Sequence, residues 1–168
     1  MNKILTTFVA AVALTTSSSL FAQTASESVM VHDAYARAMP PGQPNSGAFM
    51  TFKNSDSSAH AVVSADSPVS KVVELHTHIH ENGMMMMRRI DQIDIPANGE
   101  TVLKPGGLHV MFIGLKHDLK VGQKVPVTLT FEDGSKQDIE APVRKIMMKM
   151  NKMPGMKGMG DMKMHKMH

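Results

Sequence analysis

The apolar residues of this chain nowhere follow a helical period over ten or more positions, and that limits the fold more than any other feature. What recurs instead are short runs rich in Val, Ile, Thr and Phe, broken by Gly, Pro, Asn, Asp and Ser. β-Branched and aromatic side chains fit a pleated surface, and the intervening residues favour turns, so each run reads as a strand. Ala48–Lys53 is one, closed by the turn-rich Asn54-Ser55-Asp56-Ser57-Ser58; Ala61–Ser64 and Val72–His80 follow. Val125–Glu132, with Pro126 near its start, leads through Asp133-Gly134 into Lys136–Val143, and Asp-Gly between two such runs predicts a hairpin. The expected fold is all-β, a β-sandwich or barrel with Greek-key links.

Two flanking segments stand apart from that domain. Residues 1–22 read as a cleavable signal peptide: Lys3 gives a positive start, Ile4–Leu14 an apolar run of 11 residues, and Phe21-Ala22 a cleavage region before Gln23. A run of 11 residues is too short for a bilayer core of about 30 Å, so no stable membrane insertion is expected and the periplasm is the expected location. From Met147 to His168 the chain holds nine Met, five Lys and two His, with no Val, Leu, Ile or aromatic residue. Such a segment cannot bury a core and is expected to be a disordered Met/His-rich tail. The folded domain is therefore 23–146.

Charge and composition narrow the function. The whole chain carries a formal +3; five Lys against Asp161 make the tail +4, Lys3 adds one in the leader, and the domain is left at −2. The basic balance belongs to the tail, so no basic face is implied on the domain. With no Trp, one Tyr and six Phe there is also little to stack bases, and a nucleic-acid partner is not expected. Cysteine is absent, which removes disulfides, thiolate metal sites, iron–sulfur clusters, cysteine nucleophiles and the cysteine of a blue-copper centre. What is in excess is 18 Met and nine His, and thioether with imidazole suits copper better than calcium or magnesium. No Ser-His-Asp order, paired-carboxylate signature or phosphate-binding glycine motif stands out, so an enzyme is not expected.

Two stretches place these donors together. In Glu74-Leu75-His76-Thr77-His78-Ile79-His80-Glu81-Asn82-Gly83-Met84-Met85-Met86-Met87-Arg88, Asn82-Gly83 predicts a two-residue type I′ hairpin turn. Glu81 then faces Met84, His80 faces Met85, His78 faces Met87 and His76 faces Arg89. Because strand side chains alternate, His76, His78 and His80 share one face with Met85 and Met87. Leu75, Ile79, Met84 and Met86 share the other, which is expected to be the core side. In Lys104-Pro105-Gly106-Gly107-Leu108-His109-Val110-Met111-Phe112, the apolar face is Leu108, Val110 and Phe112, and His109 and Met111 lie opposite it. Two separate strands each offer His and Met away from the core, which points to a metal site. Isolated His32, His60 and His117 are expected to be surface or hydrogen-bonded residues, and Met50 a packing residue.

At these residues the sequence resembles the periplasmic copper chaperone family PCu(A)C. The family motif is His, ten residues, Met, twenty-one residues, His, one residue, Met, and His76, Met87, His109 and Met111 match all of its spacings. Lys-Pro-Gly-Gly-Leu-His-Val-Met (104–111) and the segment from Arg37 to Pro44 are similar as well. The resemblance implies a cupredoxin-like β-sandwich with one surface Cu(I) site made by His76, Met87, His109 and Met111. It further implies delivery of copper to an acceptor, cytochrome c oxidase subunit II with its binuclear copper site or an assembly factor, or wider periplasmic copper handling. His78, His80, Met85 and Met39 are secondary candidates around the site.

The tail repeats Met at every third position from Met147 to Met162 and closes on Met164-His165 and Met167-His168. Three residues per turn is the period of polyproline II, which would align the thioethers along one edge. These residues read as a second ligand set, with thioethers for Cu(I) and His165 and His168 able to hold Cu(II). Two other functions compete with a chaperone: a periplasmic copper storage or resistance protein that buffers copper through the tail, and a copper-dependent oxidoreductase. The sequence does not specify an oligomeric state.

Overall fold

A computed structural model describes residues 23–81 and 83–145. The signal-peptide reading over 1–22, the turn residue Asn82, Ile146 and the tail lie outside the described residues. The first element among the described residues is a single helical turn, α1 (Ala25–Ser28), that the sequence pattern did not announce. Ten strands follow: β1 (Val29–Arg37), β2 (Asn45–Asn54), β3 (His60–Asp66), β4 (Ser70–Glu81), β5 (Met84–Arg89), β6 (Ile93–Ile95), β7 (Glu100–Val102), β8 (His109–Leu115), β9 (Lys124–Phe131) and β10 (Lys136–Arg144). The all-β expectation holds, and the five strand runs read from sequence correspond to β2, β3, β4, β9 and β10. Among the described residues no helix is long and apolar enough to cross a membrane.

The strand order is β5-β4-β8-β2-β1-β10-β9-β3-β6, with β7 also on β2. Neighbours are antiparallel except β1 and β10, which run parallel with Ala36 opposite Val143 and Arg37 opposite Arg144. The two halves of this order close on one core. Ala48, Met50, Phe52, Leu75, Val110 and Phe112 come from one half; Val62, Val125, Val127, Leu129, Phe131, Ala141 and Val143 come from the other, and all are buried together. Period-2 alternation explains the choice: on β9, Val125, Val127, Leu129 and Phe131 point inward while Lys124 and Pro126 stay out. Full burial of each such side chain is worth about 1.5–3 kcal/mol. Asp133-Gly134 does link β9 to β10, with Gly134 at φ +81° and its N–H donating to the Phe131 carbonyl at 3.0 Å.

The β4–β5 hairpin has the expected register, from Glu81 opposite Met84 through His80–Met85 and His78–Met87 to His76–Arg89. Gly83 supplies the left-handed conformation, φ +77°, that the tight turn demands. One expectation fails here. Met84 and Met86 were assigned to the core side, yet they are 62% and 42% exposed. β5 ends the strand order with β4 as its only strand neighbour, and none of its residues is buried. Among the described residues no layer covers its back, so alternation distributes its methionines between two faces without giving either a core to enter. Met50 is buried as expected.

Candidate metal centre

Residues directly opposite in a ladder project to the same face. His76 pairs with His109, Glu74 with Met111, His78 with Met87, and Met111 on its other side with Gly47 of β2. One face spanning β5, β4, β8 and β2 therefore carries both His–Met sets read from the sequence. A hollow of about 590 Å³ opens on it. Its wall includes His78, His109, Met85, Met87 and Met111, and Met39 arrives from the segment between β1 and β2. Neither His76 nor His80 is part of the wall: His76 stands opposite His109 across the β4–β8 ladder, and His80 faces Met85 farther out along the hairpin. Gly47, Phe49 and the Pro105-Gly106 turn also line the hollow, together with Arg37 and residues 43–46. Sequence reading missed Gly47 and Phe49, although a glycine inside a strand is a signal of close approach.

The turn before β8 positions the imidazoles. Gly107 N–H donates to the Lys104 carbonyl at 3.0 Å, and Gly106 has φ +81°, a conformation glycine adopts freely. This directs the Gly107 carbonyl toward two rings. His109 Nδ1–H donates to it at 2.9 Å and His78 Nδ1–H at 3.3 Å, since a carbonyl can only accept. The ring centroids of these two histidines are 5.2 Å apart. Burial pushes the His109 pKa below its ordinary value; the bond to Gly107 opposes this, and nearby His78 and His76 reinforce it. A neutral His109 with Nδ1–H committed to a carbonyl keeps its Nε2 lone pair for a metal.

His76 is held in the opposite sense. Its Nε2–H donates to Glu74 Oε2 at 2.8 Å, and Arg89 approaches the other carboxylate oxygen at 3.7 Å. Its Nδ1 is buried and has no hydrogen-bond partner among the described residues. Leaving such a polar atom unpaired costs about 1–3 kcal/mol. A lone pair that nothing in the domain satisfies, beside His109 and within one sheet face of the thioethers, fits a soft metal ion. Among the described residues no three His, Asp or Glu side chains converge on a common point, and the donors gathered around the hollow are imidazole and thioether.

His60 and His117 have partners elsewhere. His60 shares hydrogen bonds with Glu132 at 2.6 Å and Asp56 at 3.4 Å, and His117 lies 3.3 Å from Gln123 Nε2. Met164, His165, Met167 and His168 lie outside the described residues.

A family model described as LpqE-like, after a lipoprotein, matches residues 29–143. Protein Lxx21020 of Leifsonia xyli subsp. xyli is 37% identical over 119 residues, covering 70% of this chain and 70% of its own. DR1885 of Deinococcus radiodurans has been solved in solution both as the apo protein and with Cu(I). The apo structure is 32% identical with a TM-score of 0.58, covering 88% of this chain and 98% of that one. The Cu(I) structure is 36% identical with a TM-score of 0.57, covering 68% and 76%. The copper-bound PCuAC domain of PmoF2 shares the fold, with a TM-score of 0.61 at 22% identity over 75% of this chain and all of that one.

Proposed function

Because the chain belongs to the LpqE-like family of PCu(A)C-type domains, we propose that it is a copper chaperone that binds Cu(I) at the hollow and releases it to an acceptor protein. His76, Met87, His109 and Met111 are the proposed ligands, with His78, Met85 and Met39 close enough to exchange with them during loading or release. The observation that carries this reading is the buried, unpartnered Nδ1 of His76 beside a His109 ring whose Nε2 is left free. The Cu(I)-bound relative DR1885 supports the choice of metal. Neutral imidazole and thioether bind Cu(I) without a thiolate that an oxidising compartment would convert to disulfide, and their moderate affinity suits a carrier.

The signal-peptide reading of 1–22 places the protein in the periplasm, where the binuclear copper site of cytochrome c oxidase subunit II, or an assembly factor for it, is the proposed acceptor. The test is anaerobic transfer of Cu(I) from the loaded protein to a soluble fragment of that subunit. Stoichiometric transfer supports the chaperone. Retention of copper by this chain in the presence of the acceptor points instead to storage, for which the nine tail methionines would be the reservoir. Failure to bind Cu(I) at all removes both readings.

A further inference from the structure

Met84 and Met86 are thioether donors that the hollow does not use. They alternate with Met85 and Met87 along β5, so they face the other side of the hairpin, where they are 62% and 42% exposed. Packing does not account for them, since no residue of β5 is buried. Protection of the edge does not account for them either. An edge strand resists pairing with other chains through charges, proline or bulges, and four apolar side chains in a row offer none of these. Two places apart on one strand face, Met84 and Met86 are separated by about 6.7 Å along the strand. Each side chain is unbranched with three rotatable bonds, so both sulfurs can close on one ion between them. Their surroundings select the ion. Glu81 stands opposite Met84, Ile79 opposite Met86 and Thr77 opposite Arg88. Arg88 reaches the Glu81 carboxylate at 3.5 Å, past the Ile79–Met86 row that lies between them. The thioethers thus rest beside a half-buried Ile79 and a carboxylate whose charge is already balanced. A hard divalent cation needs several oxygen ligands, whereas a soft, singly charged ion is served by sulfur.

We infer that Met84 and Met86 form a second Cu(I) site on the outer face of the β4–β5 hairpin, separate from the hollow. The two thioether sulfurs hold the ion, Ile79 gives it an apolar floor, and Glu81 places a carboxylate on the same face. β5 ends the strand order, so the ion reaches the sulfurs from solvent without displacing a neighbouring strand. Binding changes no oxidation state and moves no proton, because a thioether carries none. The site shares with the hollow only the supply of Cu(I), and either can exist without the other.

The test is an anaerobic Cu(I) titration of the full chain labelled with ¹³C at the methionine methyl groups. Beside it runs the full-chain variant M84L/M86L, which keeps apolar bulk at two exposed positions and removes both sulfurs. The Met84 and Met86 methyls should shift together over the same part of the titration. The variant should bind one Cu(I) fewer per chain against a competing chelator, while Met87 and Met111 respond as before. Zn(II) should leave Met84 and Met86 unmoved. Signals from Met84 and Met86 that stay in place throughout, an unchanged copper count in the variant, or an equal shift with Zn(II) overturn the inference and leave the hollow as proposed. A shift produced by a metal-free fragment of oxidase subunit II and not by Cu(I) also overturns it, and marks these methionines as a protein-docking patch. A response at Met84 and Met86 with none at Met87 and Met111 supports the second site and overturns the copper reading of the hollow.

Discussion

His76 stands directly opposite His109 across the β4–β8 ladder, with ring centroids 5.7 Å apart, and the two imidazoles are anchored through different nitrogens. Glu74 holds His76 by Nε2 and Gly107 holds His109 by Nδ1. Each anchor fixes a tautomer, and each leaves one nitrogen for a metal.

Replacing His109 removes the one proposed ligand whose ring lies beside both His76 and His78. His109→Ala should abolish high-affinity Cu(I) binding in a competition titration against a colorimetric chelator. Because the ring is buried, thermal unfolding of the variant separates loss of a ligand from loss of the fold. Unchanged affinity in a folded variant would falsify the site.

In the proposed site Glu74 acts on copper through His76, to which it is hydrogen-bonded. Glu74→Ala should weaken Cu(I) binding about 10–100-fold, the usual effect of losing the partner that orients a ligand imidazole. The ¹⁵N shifts of the apo protein give an independent readout: His76 should leave its single Nε2–H tautomer while His109 keeps Nδ1–H. A variant that binds more weakly but retains the His76 tautomer would contradict this role.

The four methionines of β5 and the buried Met50 should separate cleanly in stability. Met50→Ala removes a core side chain and should cost about 2–5 kcal/mol in urea unfolding. Met86→Ala alters an exposed position with no layer behind it and should stay within about 0.5 kcal/mol. A large loss at Met86 would mean that something covers the back of the hairpin.

His60 gives the domain a pH dependence unrelated to copper. Burial alone would lower its pKa, but the hydrogen bonds and charges of Glu132 and Asp56 outweigh burial and hold it above the ordinary 6.5. A histidine that binds its proton more tightly when folded stabilises fully below its unfolded pKa and loses that contribution as pH rises through the folded one. Glu132 is shifted the other way: burial would raise its pKa, but hydrogen bonds from Ala61 and His60 hold it below 4.5, so its contribution is lost on acidification. Unfolding free energy of the apo protein should therefore fall as pH rises above the ordinary histidine value of 6.5, and His60→Gln should flatten that slope. An identical slope in the variant would assign the effect elsewhere.

Much of the site was legible because its rules are local. A tight Asn-Gly turn sets a hairpin register, and alternation then assigns each side chain a face, so His78 opposite Met87 and His80 opposite Met85 followed from residue order. Strands with interrupted patterns were not legible. β1 contains Asp33 at φ +51° and a register shift between His32 and Tyr35, which breaks its alternation. β6 and β7 have three residues each, too few to show a period. Glu74 was visible two residues before His76 on the same face, but its role depends on a side-chain hydrogen bond that no spacing rule supplies.

By itself the sequence determined the donor inventory, the strand character of the domain, the hairpin register and the faces that His76, His78, His109 and Met111 occupy. Turn chemistry and period-2 alternation act over a few residues and need no distant partner. Only the tertiary structure decided that β8 lies against β4 with His109 opposite His76, that Met39 reaches the same hollow, and that Met84 and Met86 have no core to enter. Those outcomes depend on which strands become neighbours and which strand ends the sheet. Burial of Phe52, Phe112 and Phe131 in a common core settles this for the chain as a whole, through contacts between residues far apart in sequence.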